Sequence, residues 1–158
     1  MKKIISLKEI NKVIPKISDK KTVLVGGCFD LFHFGHLTFL QNSKKAGDFL
    51  IVALESDEFI KKYKKRTPIH SQNQRAEILS SIIYVDLVVK LPLLKSDKEY
   101  YDLVKLVKPS IIAITDGDSQ VGNKRKQATM VGAKLKVVAN LLNNFSTNRI
   151  IKVLRFDI

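Results

Sequence analysis

One cysteine, Cys28, stands in the 158 residues, and tryptophan is absent. A lone cysteine excludes an intrachain disulfide and a four-cysteine zinc site. Four prolines and seven glycines are too few for a low-complexity linker, and no internal repeat is visible. Acidic residues are scarce: 15 Asp+Glu against 28 Lys+Arg leave a net charge of +13. No apolar run approaches the ~18 residues of a membrane span. The start, Met1 to Ile5, soon meets Ser6, Lys8 and Glu9, so the long apolar stretch of a signal peptide is missing and a cytoplasmic location is the default expectation. What is present is a 45% hydrophobic chain, which excludes a disordered one. Its length fits a single domain, 1–158, of the usual ~100–150 residues, able to bury about two-thirds of its unfolded surface. The charge suggests a polyanionic partner: nucleic acid, an anionic membrane surface or a small phosphorylated substrate.

Apolar runs alternate with amphipathic segments. Thr22–Val25, Phe49–Leu54, Leu87–Val89, Ser110–Ile114 and Leu135–Val138 read as strands. Four of them are nearly continuous in apolar residues, as strands covered on both faces of a parallel sheet are. Helical patterns over 37–45, 57–62, 74–83, 98–107 and 124–131 lie between. The alternation predicts an α/β fold with a Rossmann-like, doubly wound, five-stranded parallel sheet. Residues 1–20 form a helical lead, with Ser6 and Glu9 as a capping box for a helix to Ile14, and Pro15 ends that helix or sits in its last turn. Ser146 is a natural N-cap for a last helix within 145–158, where Ile150, Ile151 and Leu154 fall at helical spacing.

The stretch with chemical content is Gly26-Gly27-Cys28-Phe29-Asp30-Leu31-Phe32-His33-Phe34-Gly35-His36. It follows the first predicted strand and opens the first crossover helix, where an open α/β sheet binds ligands and a helix N-terminus favours phosphate. Gly26 and Gly27 clear room for a phosphate against the backbone, and Gly35 lets the chain pass between two histidines. The stretch is neither a dinucleotide fingerprint nor a Walker loop. Two of three histidines lie in this one turn; an imidazole can donate to phosphoryl oxygens, more strongly when protonated. The bland alternatives are a capping plus a core histidine, or a metal pair. The metal pair lacks a third ligand nearby, since His70 stands in a separate polar loop. Cys28, between Gly27 and Phe29, offers backbone rather than a nucleophilic thiol.

GGCFDLFHFGH resembles the GxFDxxHxGH signature of the cytidylyltransferase-like nucleotidyltransferases. Ser146-Thr147-Asn148-Arg149-Ile150-Ile151 resembles that family's second signature, a Ser-Thr turn opening a late helix. Asp30, His33, Gly35 and His36 match the first; Ser146, Thr147 and Ile150 match the second. Between them, Gly47-Asp48 with its strand, the lysine-bearing loop Lys61–Arg66, the helix Arg75–Leu79 and Tyr84-Val85-Asp86 resemble further family elements. The lead 3–10 and the tail 145–152 are similar to bacterial heptose-1-phosphate adenylyltransferases. Glycerol-3-phosphate cytidylyltransferases resemble the chain through the same motifs but carry arginines where Ile83 and Leu141 stand. Archaeal FAD synthetases share the pattern of Lys61, Lys62 and Lys64. The Thr115–Ser119 turn keeps only Gly117 and Asp118 of the heptose enzymes' Lys-Gly-Gly-Asp pattern.

The resemblance implies attack of an acceptor phosphate on the α-phosphorus of a nucleoside triphosphate, ATP favoured, with pyrophosphate leaving. Such a nucleophile is already largely anionic, so alignment and charge neutralisation matter more than a base. His33, His36 and Lys62 or Lys64 are the implied catalytic residues. Gly27, Cys28, Phe29, Gly35, Asp118, Ser146 and Thr147 join the histidines around the nucleotide. Asp30, Lys62 and Arg75 are implied on the acceptor side. Mg²⁺ would bridge the phosphates with few direct protein ligands, so no metal residue is assigned. The resemblance also favours a homodimer. From the residues alone, Arg75 contacts a phosphate or braces the loop, Ser146 caps a helix or binds phosphate or both, and Asp118 forms a turn or meets the nucleoside. The 61–66 run, five basic residues around Tyr63, is a solvated helix end or a phosphate-facing loop. The non-enzyme rival is a basic nucleic-acid-binding module, disfavoured because aromatics other than Tyr63 do not interleave the basic clusters. No nucleic acid and no membrane is therefore the expectation.

Overall fold

The computed structural model describes residues 2–140 and 146–156. Leu141, Phe145, Asp157 and Ile158, which the sequence reading used or spanned, lie outside the described residues. Among those described, six parallel strands form one sheet. They are β1 (Ile4–Ser6), β2 (Thr22–Gly27), β3 (Phe49–Leu54), β4 (Leu87–Lys90), β5 (Ile111–Thr115) and β6 (Lys134–Ala139). The helices are α1 (Phe34–Lys44), α2 (Asp57–Tyr63), α3 (Gln72–Ser81), α4 (Asp97–Val107), α5 (Val121–Val131) and α6 (Thr147–Phe156).

The sheet order is β1-β4-β3-β2-β5-β6. The chain steps outward from β2 to β3 and β4, then returns to lay β5 on the other side of β2. That reversal opens a crevice beyond the carboxyl ends of β2 and β5. Side chains alternate across the sheet. Leu24, Ile51, Ala53, Leu87, Val89, Ile112 and Ile114 pack under Leu103, Val104 and Val107 of α4 and Ala128 of α5. Val23, Val25, Leu50, Val52, Leu54, Val88 and Ala113 pack with Leu40 of α1 and Ala76 and Leu79 of α3. Both faces are covered, which is why these strands are apolar throughout.

Two expectations change. The sheet has six strands, not five: Ile4–Ser6 pairs with Val88–Lys90 at one edge. The lead is this strand followed by two 3₁₀ turns, Leu7–Lys12 and Ile14–Ile17, rather than an α-helix to Ile14. Glu9 still accepts from the backbone N–H and hydroxyl of Ser6, at 2.8 and 2.7 Å. Pro15 sits in the first turn of the second 3₁₀ piece, where its missing N–H has no partner to lose. Pairing of Ile4–Ser6 with Val88–Lys90 makes the first piece a strand, and the 3₁₀ turns then bring Ile10, Val13 and Ile17 into the α4-side core beside Ile5.

The Gly-Asp pair before β3 is structural. A Cβ on Gly47 would lie 2.4 Å from the Lys21 carbonyl oxygen and 2.7 Å from Val23 Cγ2. The Asp48 carboxylate accepts from the Lys21 N–H at 3.0 Å. Asp86 likewise ties β4 to β3, accepting from the Leu50 N–H and from Lys44 Nζ, both at 2.7 Å.

Candidate active site

The loop after β2 is held by buried charges. Phe29 and Leu31 adopt left-handed φ of 48° and 54°, a costly conformation for large side chains that needs surrounding structure to hold it. Between them Asp30 is buried. Its carboxylate accepts from Arg66 and from the backbone N–H groups of Ile69, at 3.1 Å, and His70, at 3.0 Å. Burial alone would raise its pKa, but the bonds from Arg66, His70 and Ile69 outweigh that and hold it below the usual carboxylate value. Arg75 acts from the other side. Its guanidinium has no exposed surface and donates to the Cys28 carbonyl at 2.6 Å, the His70 carbonyl at 3.1 Å and Asp57 at 2.7 Å. The structure therefore does not bring Arg75 to the cleft: of the two readings, it shows the brace. His70, too, is not in a loop apart, since its Nδ1 lies 4.0 Å from Asp30. Gly27 has a packing reason, because a Cβ there would come within 2.9 Å of the Phe29 ring.

His33 takes the N-cap position of α1 and His36 follows within its first turn. Their rings stack with centroids 3.7 Å apart, and Phe29 and Phe32 flank His36 at 5.1 and 5.6 Å. Neither Nδ1 has a hydrogen-bond partner. Burial pushes His36 down to about 3, with His33 adding to the effect and Asp30 opposing it. Burial lowers His33 as well. Both are therefore neutral imidazoles at pH 7, each with one N–H to donate.

The second motif meets the first directly. Thr147 Oγ1 donates to the Asp30 carbonyl at 2.9 Å. Ser146 caps α6, accepting at Oγ from the Arg149 N–H at 3.2 Å. Two clefts adjoin this junction, one of about 1000 Å³ and one of about 270 Å³. His36, Ser146 and Thr147 line both. Gly27, Cys28, Phe29, Asp30 and Asp118 line the larger; His33 and Gly35 line the smaller. The histidine pair and the Ser-Thr turn thus form a partition between two spaces.

The basic loop divides. Lys64 lines the larger cleft. Lys62 does not; it lies over the Tyr63 ring, 5.0 Å from its centroid. Asp118 is paired with Lys124 at 2.6 Å and accepts from the Gln120 N–H at 2.7 Å. Burial pushes the Cys28 thiol up to about 11, so it stays protonated at neutral pH. Sequence reasoning missed Glu55 and Tyr100, which meet at 2.9 Å in the cleft wall, and Arg66, the partner of Asp30. Nothing in local spacing signals these long-range pairs. Among the described residues no group of three or more His, Cys, Asp or Glu is set to hold a metal ion. No helix among them is long and apolar enough to cross a membrane.

A family model described as cytidylyltransferase-like matches residues 24–153. The chain belongs to this cytidylyltransferase-like family. It is 35% identical over 158 residues to the bifunctional protein HldE of Campylobacter jejuni subsp. doylei, covering 98% of this chain and 32% of that protein. The chain thus spans about a third of the length of that relative. It is 41% identical over 123 residues to the FAD synthase of Pyrococcus horikoshii, covering 77% of this chain and 81% of that one. Among solved structures, the lipopolysaccharide core biosynthesis protein of Thermoplasma volcanium superposes with a TM-score of 0.62 at 26% identity, over 77% of this chain and 95% of that chain. Membership of the cytidylyltransferase-like family explains why residues as far apart as His33 and Thr147 converge.

Proposed function

We propose that this chain is a nucleotidyltransferase that moves a nucleoside monophosphate, from ATP by preference, onto a phosphorylated small molecule. An acceptor phosphate oxygen forms a bond to the α-phosphorus, and the bond from that phosphorus to the bridging β-phosphate oxygen breaks. Pyrophosphate leaves with that electron pair. The observation that carries the reading is the shared partition: two clefts meet at His36, Ser146 and Thr147.

The neutral imidazoles of His33 and His36 donate to phosphoryl oxygens, and an arriving triphosphate favours their protonation, strengthening both bonds. Ser146, Thr147 and the free N–H groups at the start of α6 hold the β- and γ-phosphates. Lys64 rather than Lys62 faces the transferred group, because only Lys64 lines the cleft. Asp30 and Arg75 position the loop instead of touching substrate. Glu55 is engaged by Tyr100, and Asp118 by Lys124 and Gln120. This donor set suits a Mg²⁺ carried on the phosphate oxygens more than a protein cage. Bound there, the ion would neutralise charge on the phosphates.

The favoured acceptor is a sugar phosphate such as D-glycero-β-D-manno-heptose 1-phosphate, supported by 35% identity to a bifunctional HldE protein over 98% of this chain and 32% of that protein. The 41% identity to an FAD synthase supports a second reading, with FMN as acceptor. A cytidylyltransferase acting on glycerol 3-phosphate is the third: Ile83 is 80% exposed and lines neither cleft. A single domain, a homodimer and a cytoplasmic location go with the same proposal. Pyrophosphate release tests it, with ATP or CTP paired with heptose 1-phosphate, FMN or glycerol 3-phosphate in the presence of Mg²⁺. ATP with heptose 1-phosphate is expected to turn over fastest. Folded protein that turns over no pair overturns the reading.

A further inference from the structure

Glu55 ends the apolar run of β3 and immediately precedes Ser56, the N-cap of α2. Its side chain is 7% exposed and lines the larger cleft. Tyr100 of α4 donates to Oε1 at 2.9 Å, while Oε2 has no hydrogen-bond partner. A buried oxygen left in this state costs free energy that a merely structural link between β3 and α4 has no reason to carry. Burial also pushes the carboxyl up to about 7, against the lowering effects of the Tyr100 bond and of Arg75, Lys124 and Lys64. The group thus populates both protonation states near neutrality.

The chemistry of the missing partner follows from Oε2. An apolar group would leave it unpaired. A second phosphate or a carboxylate would be repelled whenever Glu55 is ionised. A hydroxyl both donates and accepts, so it pairs with Oε2 in either state. The surrounding wall is of the same character: Asn123, Lys124 and Gln127 of α5 line the cleft with Tyr100. The terminal torsion of a glutamate is broad, so Oε2 can turn to the cleft while Tyr100 follows Oε1.

We propose that Glu55, held by Tyr100, is the acceptor-specificity residue of this site, and that it reads a hydroxyl of a polyhydroxylated phosphomonoester whose body lies between β3, α4 and α5. The inference rests on the nucleotidyl-transfer reading above.

The nearly isosteric Glu55→Gln variant and Tyr100→Phe test it. With ATP and heptose 1-phosphate, Glu55→Gln keeps a donor for the hydroxyl but loses the charged acceptor, and is expected to raise the acceptor KM by about threefold to tenfold, the difference between a neutral hydrogen bond and one to a charged group. The kcat should change by less than about threefold, with the KM for ATP unmoved. Tyr100→Phe should shift the acceptor KM in the same direction by less. Phenyl phosphate, which has no hydroxyl outside its phosphate, should bind wild type and Glu55→Gln alike. A purely structural Glu55 would instead lower Tm and leave the acceptor KM unchanged, and that result overturns the inference. Calorimetric titration of heptose 1-phosphate without ATP separates the two readings. If wild type binds but never turns over, nucleotidyl transfer fails, and weaker binding by Glu55→Gln still upholds the hydroxyl contact. Equal binding by both proteins, or binding by neither, overturns it.

Discussion

Replacing Arg75 separates a brace from a phosphate contact. In Arg75→Met the apolar volume is kept, but three hydrogen bonds disappear, to the Cys28 carbonyl, the His70 carbonyl and Asp57. The two carbonyls lose charge-assisted donors in a site without solvent around the guanidinium. Asp57 is 29% exposed and recovers part of its loss from water. Leaving buried acceptors unpaired costs about 1–3 kcal/mol each, and breaking a buried ion pair about 3–5 kcal/mol in all. With the solvated Asp57 discounted, roughly 3 kcal/mol is expected, a large share of the ~5–15 kcal/mol typical of a folded domain. For a chain of this size that lowers Tm by about 6–12 °C. Urea unfolding followed by circular dichroism reads the midpoint, and pyrophosphate release reads activity on the surviving folded fraction. Arg75→Lys should recover little, since one ammonium cannot span three acceptors set around a planar fork. An unchanged unfolding midpoint in Arg75→Met, with a tenfold higher KM for the acceptor, would refute the brace and restore the phosphate contact.

Acid should weaken the fold through His36. Its folded pKa of about 3 lies below the ordinary 6.5, so between those values the unfolded chain holds a proton the folded chain lacks. Stability is full above pH 6.5 and falls as pH drops toward 3, by at most about 1.4 kcal/mol per unit; His36→Asn should flatten that slope in urea titrations at pH 4–7. Lys64→Ala should cut kcat/KM by about 100-fold or more, as loss of one group aimed at developing charge does. Lys62→Ala, which removes a cation–π contact worth about 0.5–1 kcal/mol, should cost under about fivefold in the same assay. Gly47→Ala forces a methyl against the Lys21 carbonyl, which is fixed by the Asp48 N–H at 2.8 Å. It should cost about 1–3 kcal/mol by overpacking, read as a lower Tm with normal activity per folded molecule.

The strands β2 to β5 were legible because each is an apolar run, β6 because it continues the alternation with helices, and residues 26–36 because their spacing is unusual. β1 was not: three residues beside a Ser-Glu capping pair carry a helix-start signal, and only pairing with Val88–Lys90 makes them a strand. The pairs Asp30–Arg66 and Glu55–Tyr100 join residues 36 and 45 apart, a proximity no local periodicity encodes. Arg75 was ambiguous for the same reason, since its partners decide its role. Lys62 and Lys64 differ by two positions, and the end of α2 at Tyr63 followed by left-handed Lys65 turns one of them to the cleft.

The bond from Thr147 to the Asp30 carbonyl also spans 117 positions, which makes the site a matter of timing during synthesis. The ribosome delivers the histidine loop early, yet the wall that separates the two clefts arrives only with α6. An N-terminal intermediate containing most of the sheet would display the first motif and bury its core. It would still lack the turn that the proposed function assigns to the β- and γ-phosphates. On that proposal, nucleotide affinity reports that α6 has docked against the Asp30 loop.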